Sequence, residues 1–275
     1  MTQTTNASTT ASTFLERIVA HKEREVATRQ QERPYAAVAA EALAQPPALD
    51  FAAALAAPGM RLIAEVKGKS PSKGVLIAPF EPEAIARDYL AAGADALSVL
   101  TDEAFFGGGL DHLRAVAALA HAATPPRPVI RKDFVLDRYQ IAEARAAGAD
   151  AVLLIVAMLD DAQLRDLHAA AHGWGLTALV EVHNEAEAAR AVAAGAALIG
   201  VNNRDLHSFR VDLATTERIA PTLPAGTTIV GESGVGTAAD VARLAAAGTD
   251  AILVGESLVK AADRGAAIRA LLGRT

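Results

Sequence analysis

Several short apolar stretches of this sequence end in acidic, basic or amide side chains, the groups that carry proton-transfer chemistry. The stretch "IAEVKGKSPSKG" begins like a buried strand with Ile63 and Val66, yet it also contains Glu65 and Lys67. Four later stretches end in the same way. They are "VIRKDF" with Lys132, "LVEVH" with Glu181, "IGVNNRDL" with Asn202 and "IVGES" with Glu232. Proton donors and acceptors therefore recur where apolar stretches end.

Stability is a poor explanation for so many ionisable groups in apolar surroundings. For any one residue, a solvated strand end or a structural salt bridge is a sufficient interpretation. For the whole set it is not, because a buried charge costs several kcal/mol and a buried ion pair is often no better than an apolar replacement. Acid–base catalysis needs a donor and an acceptor around one substrate. The set that predicts such a site is Glu65, Lys67, Lys132, Glu181 and Glu232.

The stretch "SGVGTAAD" allows two interpretations. Gly234, Gly236 and Ala239 match the G-x-G-x-x-A pattern of dinucleotide-binding proteins. That pattern belongs to the first unit of a doubly wound half, whereas only one strand–helix unit follows here, so a nicotinamide cofactor is disfavoured. A phosphate suits the glycines better, since free backbone N–H groups at a helix start attract anions. Ser70 and Ser72 are expected to close over the same anion.

Three histidines are candidates for metal binding or catalysis. His168 and His172 have the i,i+4 spacing of metal ligands, but no H-E-x-x-H glutamate accompanies them. We interpret them as the solvated surface of an outer helix. His183 follows Glu181 closely, and we expect a loop or helix-capping role for it rather than catalysis. No metal site is predicted.

The elements that must position these groups are indicated by a repeated phrase. "AAGADA" occurs twice and is followed by "AAGAAL" and "AAGTDA", with glycines at Gly93, Gly148, Gly195 and Gly248. Each phrase ends an amphipathic, alanine-rich stretch and precedes a short apolar one. Glycine is common just after a helix, and the apolar stretches have strand length. Helix, glycine and buried strand form the junction expected in a parallel sheet.

Further strand and helix pairs lie between these junctions, so we predict eight strands. They cover residues 61–67, 95–100, 128–132, 151–156, 177–182, 198–202, 227–232 and 251–255. Even spacing without a break predicts an α/β fold, a single (β/α)8 TIM barrel, with a doubly wound open sheet as the alternative. An extra N-terminal helix is expected over residues 13–33. The predicted domains are a disordered tail, 1–12, and a catalytic barrel, 13–275.

In such a barrel the active site lies at the carboxyl ends of the strands. Side chains alternate along a strand, so Ile63, Glu65 and Lys67 share one face, which we expect to be the lumen. The five ionisable groups come only from the first, third, fifth and seventh strands, which contribute to common interior layers. The barrel therefore predicts that they meet at the top of the lumen.

Composition excludes several classes of function. The 275 residues carry a net charge of −6, which argues against a nucleic-acid partner held by a general basic surface. The absence of cysteine excludes disulfides and thiolate zinc sites and fits a reducing compartment. No apolar stretch has membrane-spanning length, and the first residues lack the features of a signal peptide. We expect a cytoplasmic monomer without a membrane partner, with a weak oligomer as the alternative.

The motifs at the strand ends together resemble the indole-3-glycerol phosphate synthase family. They are "IAEVKGKSPSKG", "SVLTDEAFFGG", "VIRKDF", "LVEVHNEAE", "IGVNNRDL", "VGESGV" and "ILVGESL", in this order from Phe14 to the C-terminus. The resemblance implies the substrate 1-(2-carboxyphenylamino)-1-deoxyribulose 5-phosphate, which loses CO2 and water. It implies no metal and no organic cofactor. Another phosphate-binding barrel lyase, a Schiff-base aldolase using Lys67 or Lys132, and a non-catalytic phosphate-binding barrel are the alternatives.

The resemblance also implies roles for individual residues. Lys132 is expected to be the general acid that protonates the sugar carbonyl, and Glu181 the general base in the dehydration. Lys67 is expected to meet the substrate carboxylate, with a share in the acid role left open. Residues that would orient these groups are Glu65, Asn202 and Glu232.

The same resemblance assigns the substrate-binding residues. The phosphate cradle would consist of Ser70, Gly234, Gly255 and Ser257, with Ser233 and Arg204 close by. Phe106 and Phe134 would wall the anthranilate ring. Gly68 departs from the family, whose members often carry a larger or basic residue there, and we expect it to loosen the loop after the first strand.

Overall fold

Eight parallel strands close into a barrel in this computed structural model, which describes residues 13–71, 73–206 and 208–274. The barrel strands are β1 (Arg61–Val66), β4 (Ala96–Leu100), β5 (Val129–Lys132), β6 (Ala151–Ile155), β7 (Thr177–Val182), β8 (Leu198–Asn202), β9 (Thr228–Glu232) and β10 (Ala251–Val254). Each agrees with its predicted range to within one residue at either end. The (β/α)8 prediction is confirmed and the open-sheet alternative is wrong. The predicted disordered tail and Ser72 lie outside the described residues.

Helices surround this barrel. They are α1 (Phe14–Glu32), α2 (Tyr35–Ala44), α3 (Phe51–Ala56), α4 (Pro82–Ala91), α5 (Glu103–Phe106), α6 (Leu110–His121), α7 (Arg138–Ala146), α8 (Asp161–Gly173), α9 (Glu185–Ala193), α10 (Ala214–Ile219), α11 (Ala238–Ala246), α12 (Glu256–Val259) and α13 (Arg264–Leu271). Two 3₁₀ turns occupy Val156–Met158 and Ala220–Thr222. Two short strands, β2 (Lys69–Ser70) and β3 (Gly74–Val75), form an antiparallel hairpin after β1.

Side-chain alternation separates two apolar layers. Leu62, Ala64 and Val66 of β1 are buried between the sheet and the outer helices, together with the inward faces of those helices. Ile63 points the other way and joins the lumen core. Glu65 continues that inward face one step nearer the carboxyl end, as predicted.

The bottom of the lumen is closed by α3, which the sequence did not predict. Phe51 and Leu55 are fully buried and pack among the first inward residues of the strands, such as Ala96 and Ala251. Asp50 caps this short helix by accepting from the backbone N–H of Ala53 at 2.8 Å. The amino ends of the strands are therefore filled with apolar side chains, and polar groups are left to the other end.

The four repeated glycines end helices as predicted. Gly93, Gly148, Gly195 and Gly248 have φ values of 83°, 85°, 86° and 89°. A side chain is strained in this left-handed region, so glycine is the residue that turns each chain from its helix into the next strand.

The predicted N-terminal helix is α1, which begins after a capping box between Thr13 and Glu16. Its buried residues are Ile18, Lys22 and Val26, which follow one another at i,i+4 spacing. In the part of the chain that the structure describes, no helix is both long and apolar enough to cross a membrane.

Candidate active site

A cavity of about 580 Å³ opens at the carboxyl ends of the barrel strands. Fourteen of the residues that the sequence assigned to catalysis or binding line it. They are Glu65, Lys67, Ser70, Phe106, Lys132, Phe134, Glu181, Asn202, Arg204, Glu232, Ser233, Gly234, Gly255 and Ser257. The structure thus brings all fourteen together, while their individual roles remain predictions. The apolar floor of the cavity consists of inward residues of β6 and β10, including Leu153, Ile155 and Leu253.

Lys132, the last residue of β5, holds the centre of the cavity. Its Nζ lies 2.9 Å from Glu232 Oε2 and 3.3 Å from Glu181 Oε2. Burial alone would lower the pKa of this ammonium, but the carboxylates of Glu232, Glu181 and Glu65 outweigh burial and raise its pKa above the usual value. Lys132 is therefore protonated and can donate a proton.

The two carboxyl groups beside Lys132 differ in their surroundings. Burial favours the neutral form of Glu181, but Lys132, His183 and the Asn202 amide together lower its pKa well below the usual value. Asn202 Nδ2 donates to Glu181 Oε1 at 3.1 Å. Glu232 Oε1 has no hydrogen-bond partner among the described residues. Burial and the charge of Glu181 outweigh Lys132 there and raise the pKa of Glu232 to about 7. One carboxylate is thus firmly ionised and the other shares a proton near neutral pH.

Two glycines make room for these carboxyl groups. A Cβ atom at Gly200 in β8 would overlap Glu232 Oε1, and a Cβ atom at Gly255 would overlap Glu65 Oε1. Gly255, predicted for the phosphate cradle, therefore also leaves space for Glu65. Gly200 was not predicted, because a glycine inside an apolar strand gives no signal of what faces it.

Glu65 and Lys67 form an ion pair at the end of β1. Glu65 is almost fully buried, which would raise its pKa, but Lys67 and Lys132 outweigh burial and lower it. Lys67 remains partly exposed to the cavity. Glu65 is thus a fixed anion in the cavity wall, and Lys67 is a cation that a bound ligand can contact.

The candidate phosphate cradle lies where the loops after β9 and β10 meet the hairpin after β1. Ser70 Oγ is buried and lacks a hydrogen-bond partner within the described residues. Ser233 and Gly234 have φ values of 62° and 82°, so the backbone turns sharply there. Ser257 Oγ donates to the Val235 carbonyl at 3.3 Å. The Ser70 hydroxyl is therefore available to bind an anion.

Arg204, which was predicted to lie close to the phosphate, also makes a hydrogen bond within its own loop. Its Nη1 donates to the Phe209 carbonyl at 3.1 Å, within the loop after β8. Part of its guanidinium therefore holds that loop together.

Two aromatic rings form part of the cavity wall. The ring centroids of Phe106 and Phe134 are 5.9 Å apart and the rings are inclined by 44°. Phe106 ends α5, whose cap Asp102 accepts from the backbone N–H groups of Phe105 and Phe106 at 2.8 and 3.2 Å. Planar apolar surface is thus fixed beside Lys132.

A buried charge network behind this wall was not predicted from the sequence. Lys22 of α1 is fully buried, with Nζ 2.9 Å from Asp102 Oδ2 and 3.0 Å from Asp133 Oδ1. Asp133 also pairs with the fully buried Arg131 at 2.9 Å. Asp102 caps the helix that carries Phe106, and Asp133 follows Lys132 in the chain. The available signal was a lysine inside the apolar stripe formed by Ile18 and Val26.

Helix α1 also reaches the cavity itself. Phe14, Leu15 and Ile18 line it, so α1 covers part of the opening. The sequence predicted this helix but not its position.

The histidines differ from one another in position. His183, expected to have a loop or capping role, lies beside Glu181 with Nε2 3.3 Å from Oε1. His168 and His172 lie on α8, outside the cavity lining. Among the described residues no group of three or more His, Cys, Asp or Glu side chains is arranged to hold a metal ion.

A closed barrel with ionisable side chains around one cavity at the carboxyl ends of its strands has the architecture of a TIM-barrel enzyme. A sequence model described as indole-3-glycerol phosphate synthase matches residues 15–271. The chain belongs to the indole-3-glycerol phosphate synthase family.

Similar proteins cover nearly the full length. The chain is 54% identical over 265 residues to indole-3-glycerol phosphate synthase of Roseiflexus sp. (strain RS-1), covering 95% of this chain and 98% of that one. It is 50% identical to indole-3-glycerol phosphate synthase 2 of Streptomyces coelicolor, with 95% and 100% covered.

Solved structures of lower identity share the fold. 3-Hexulose-6-phosphate synthase from Salmonella typhimurium superimposes with a TM-score of 0.60 at 18% identity, covering 78% of this chain and 97% of that one. Thiamine phosphate pyrophosphorylase from Pyrococcus furiosus gives 0.58 at 18% identity, with 77% and 93% covered. At such identity the likeness concerns architecture alone.

Proposed function

We propose that this cavity converts 1-(2-carboxyphenylamino)-1-deoxyribulose 5-phosphate into indole-3-glycerol phosphate, with release of CO2 and water. The chain is a carboxy-lyase of tryptophan biosynthesis, as its family membership indicates. The observation that carries the assignment of the site is the position of Lys132 Nζ, 2.9 Å from Glu232 Oε2 and 3.3 Å from Glu181 Oε2, two buried carboxyl groups.

Ring closure begins when an aromatic carbon attacks the ketone of the sugar chain. Negative charge develops on the carbonyl oxygen, and Lys132 donates a proton to it. Neighbouring carboxylates keep its ammonium charged, so a proton and a positive charge are both present where the negative charge develops. General acid catalysis of this kind typically contributes about 10²–10⁴-fold.

Decarboxylation and dehydration complete the reaction. Departure of the carboxylate as CO2 leaves its electron pair in the ring and restores aromaticity. Loss of the hydroxyl as water then needs an acid at the leaving oxygen and a base that removes a proton. Glu181, which is ionised and oriented by Asn202, is the proposed base.

Substrate groups away from the reacting bond are held by the rest of the lining. Lys67 faces the substrate carboxylate, and the rings of Phe106 and Phe134 cover the anthranilate ring. The unpartnered Ser70 hydroxyl and the loops containing Gly234 and Ser257 receive the phosphate. Binding the phosphate and the ring together restricts the flexible substrate. This restriction lowers the activation barrier by several kcal/mol.

A Schiff-base aldolase is the weaker assignment. A lysine that attacks a carbonyl must be neutral, which requires a lowered pKa. Carboxylates around Lys132 raise its pKa instead. The proton on Lys132 therefore favours acid catalysis over covalent catalysis.

We further propose that the protein acts as a monomer. Large apolar side chains that are well exposed among the described residues are few and separate, namely Tyr35, Leu43 and Val75. No extended apolar patch is formed by them. Light scattering at micromolar concentration tests this, and a dimer mass contradicts it.

The proposed reaction is tested by following indole fluorescence while the purified chain is incubated with the carboxyphenylamino-ribulose phosphate. We expect saturable turnover without added metal or cofactor. Saturable binding with no indole signal contradicts the proposal. A covalent adduct trapped by borohydride contradicts the assignment of Lys132 as an acid.

A further inference from the structure

The two carboxyl groups that share Lys132 are distinguished by one neighbour. Glu181 and Glu232 both contact the same ammonium, and two carboxylates so close resist simultaneous ionisation. Of these two carboxyl groups, His183 contacts Glu181 and not Glu232. His183, the residue after β7, is therefore placed to determine which of the two carboxyl groups is ionised.

His183 is fixed between two carboxylates. Its side chain is only 9% exposed, with Nε2 3.3 Å from Glu181 Oε1 and Nδ1 3.1 Å from Glu187 Oε2. A neutral imidazole presents a hydrogen to one of these oxygens and a lone pair to the other. Among the described residues Nδ1 hydrogen-bonds to Glu187 Oε2, whereas Nε2 makes no hydrogen bond and lies within ion-pair distance of Glu181 Oε1. A position between two carboxylates favours the charged ring, because both attract a cation.

Glu187, in the first turn of α9, is held in place by its own contacts. Its Oε2 accepts from the backbone N–H of His183 at 2.8 Å, and its Oε1 accepts from Asn184 Nδ2 at 2.8 Å. Asn184 in turn caps α9 by accepting from the Glu187 N–H at 2.9 Å. The carboxylate therefore has one orientation, and the His183 ring is anchored to it through Nδ1.

We propose that Glu187 is a positioning residue that acts through His183, and that the pair makes Glu181 rather than Glu232 the ionised carboxylate of the site. The proposal rests on the proposed function, because it concerns the base of that reaction. Neither residue needs to touch the substrate.

The electrostatics of the site agree with this assignment. Burial alone would lower the pKa of His183, but the two carboxylates outweigh burial and raise it to about 10. The charged groups that face the Glu181–His183 pair from other elements are Lys132 of β5, Glu232 of β9, Glu65 of β1 and Glu187 of α9. Of the two carboxyl groups in direct contact with Lys132, Glu181 alone has a second cation beside it among the described residues.

The test compares Glu187→Gln with Glu185→Gln. Both residues lie in the first turn of α9, but Glu185 is exposed and pairs with Arg218 at 3.3 Å. The control therefore matches the loss of one charge from the same helix end. We expect the acid limb of kcat/KM in Glu187→Gln to move to higher pH by about 1 unit or more, since loss of the imidazolium raises the pKa of Glu181. Glu185→Gln is expected to follow the wild type.

A second measurement does not depend on turnover. Long-range ¹⁵N NMR of the imidazole groups, with His183→Asn to assign the signal, reports the charge of His183. We expect an imidazolium at pH 7.5 in the wild type and in Glu185→Gln, and a neutral ring in Glu187→Gln. A neutral His183 in the wild type overturns the proposal, and so does an unmoved acid limb in Glu187→Gln.

Failure of the proposed function can be distinguished from failure of the proposal about Glu187. If the wild type forms no indole-3-glycerol phosphate, the proposed function fails and the NMR signature alone decides on the charge of His183. If the wild type is active and Glu187→Gln loses only thermal stability, with an unchanged pH profile, Glu187 is merely a structural part of α9.

Discussion

At the scale of residues, most of the candidate site follows from strand alternation. Glu65, Lys132, Glu181 and Glu232 were predicted to share a cavity because the ends of parallel barrel strands meet at one edge, and they do so. The sequence did not predict which of the side chains would contact one another. That His183 would lie between two carboxylates depends on the turn into α9, whose geometry no local pattern specifies.

The space around Glu232 gives a prediction at this scale. In Gly200→Ala the added methyl group would overlap Glu232 Oε1 and approach Leu179 Cδ1 to 3.3 Å. Glu232 must then leave its position beside Lys132. We expect kcat to fall by about 10-fold or more, since small displacements in a reacting site are costly.

The control is Gly173→Ala at the end of α8, where an added Cβ meets no atom within 4 Å. Steady-state kinetics of both variants provide the measurement. Equal kcat values for Gly200→Ala and the wild type would show that the position of Glu232 is unimportant.

At the scale of elements, agreement with prediction depended on how strongly each boundary was marked. The barrel strands were found because glycines and charged residues bracket them. The sequence did not reveal α2, α3, α5 or the β2–β3 hairpin, since four to ten residues carry little periodicity and their positions are set by tertiary packing. Gly68 was expected to loosen the loop after β1. It is buried against the Phe80 ring, which occupies the space of a side chain, and the looser loop stays a prediction.

Helix α1 is held to the barrel by a buried lysine, which gives a second prediction. Lys22→Met leaves Asp102 buried without the Lys22 cation and leaves Asp133 with Arg131. We expect the free energy of unfolding to fall by about 3–5 kcal/mol, the usual cost of removing one partner from a buried ion pair. KM should also rise, because Asp102 caps the helix that carries Phe106.

Arg24→Met on the exposed face of the same helix is the matched control, with an expected change within about 0.5 kcal/mol. Urea unfolding of the two variants measures the change in the free energy of unfolding. Equal stability of Lys22→Met and Arg24→Met would mean that the network does not hold α1 in place.

At the scale of the whole molecule, the barrel separates stability from chemistry. Apolar side chains of α3 fill its amino end, whereas ionisable groups surround its carboxyl end. The closed topology was predictable from eight evenly spaced units. The plug at the bottom was not, because an alanine-rich segment such as "FAAALA" has no feature that distinguishes a plug from a surface helix.

This separation predicts different effects for two identical substitutions. Leu55→Ala opens a void in the fully buried plug and should cost about 2–5 kcal/mol of unfolding free energy. Leu43→Ala removes a side chain that is 76% exposed and should change stability by less than about 0.5 kcal/mol. Both should keep the wild-type kcat below their unfolding temperatures. A large loss of kcat in folded Leu55→Ala would contradict the separation.

The central claim is that Lys132 and Glu181 act as acid and base on one substrate in this cavity. The most direct measurement is kcat for indole formation by Lys132→Ala and by Glu181→Gln, with Glu185→Gln as the control and circular dichroism to verify folding. We predict that each site variant loses at least about 100-fold in kcat while the control retains the wild-type rate. A folded Lys132→Ala or Glu181→Gln with near-normal turnover would contradict the account.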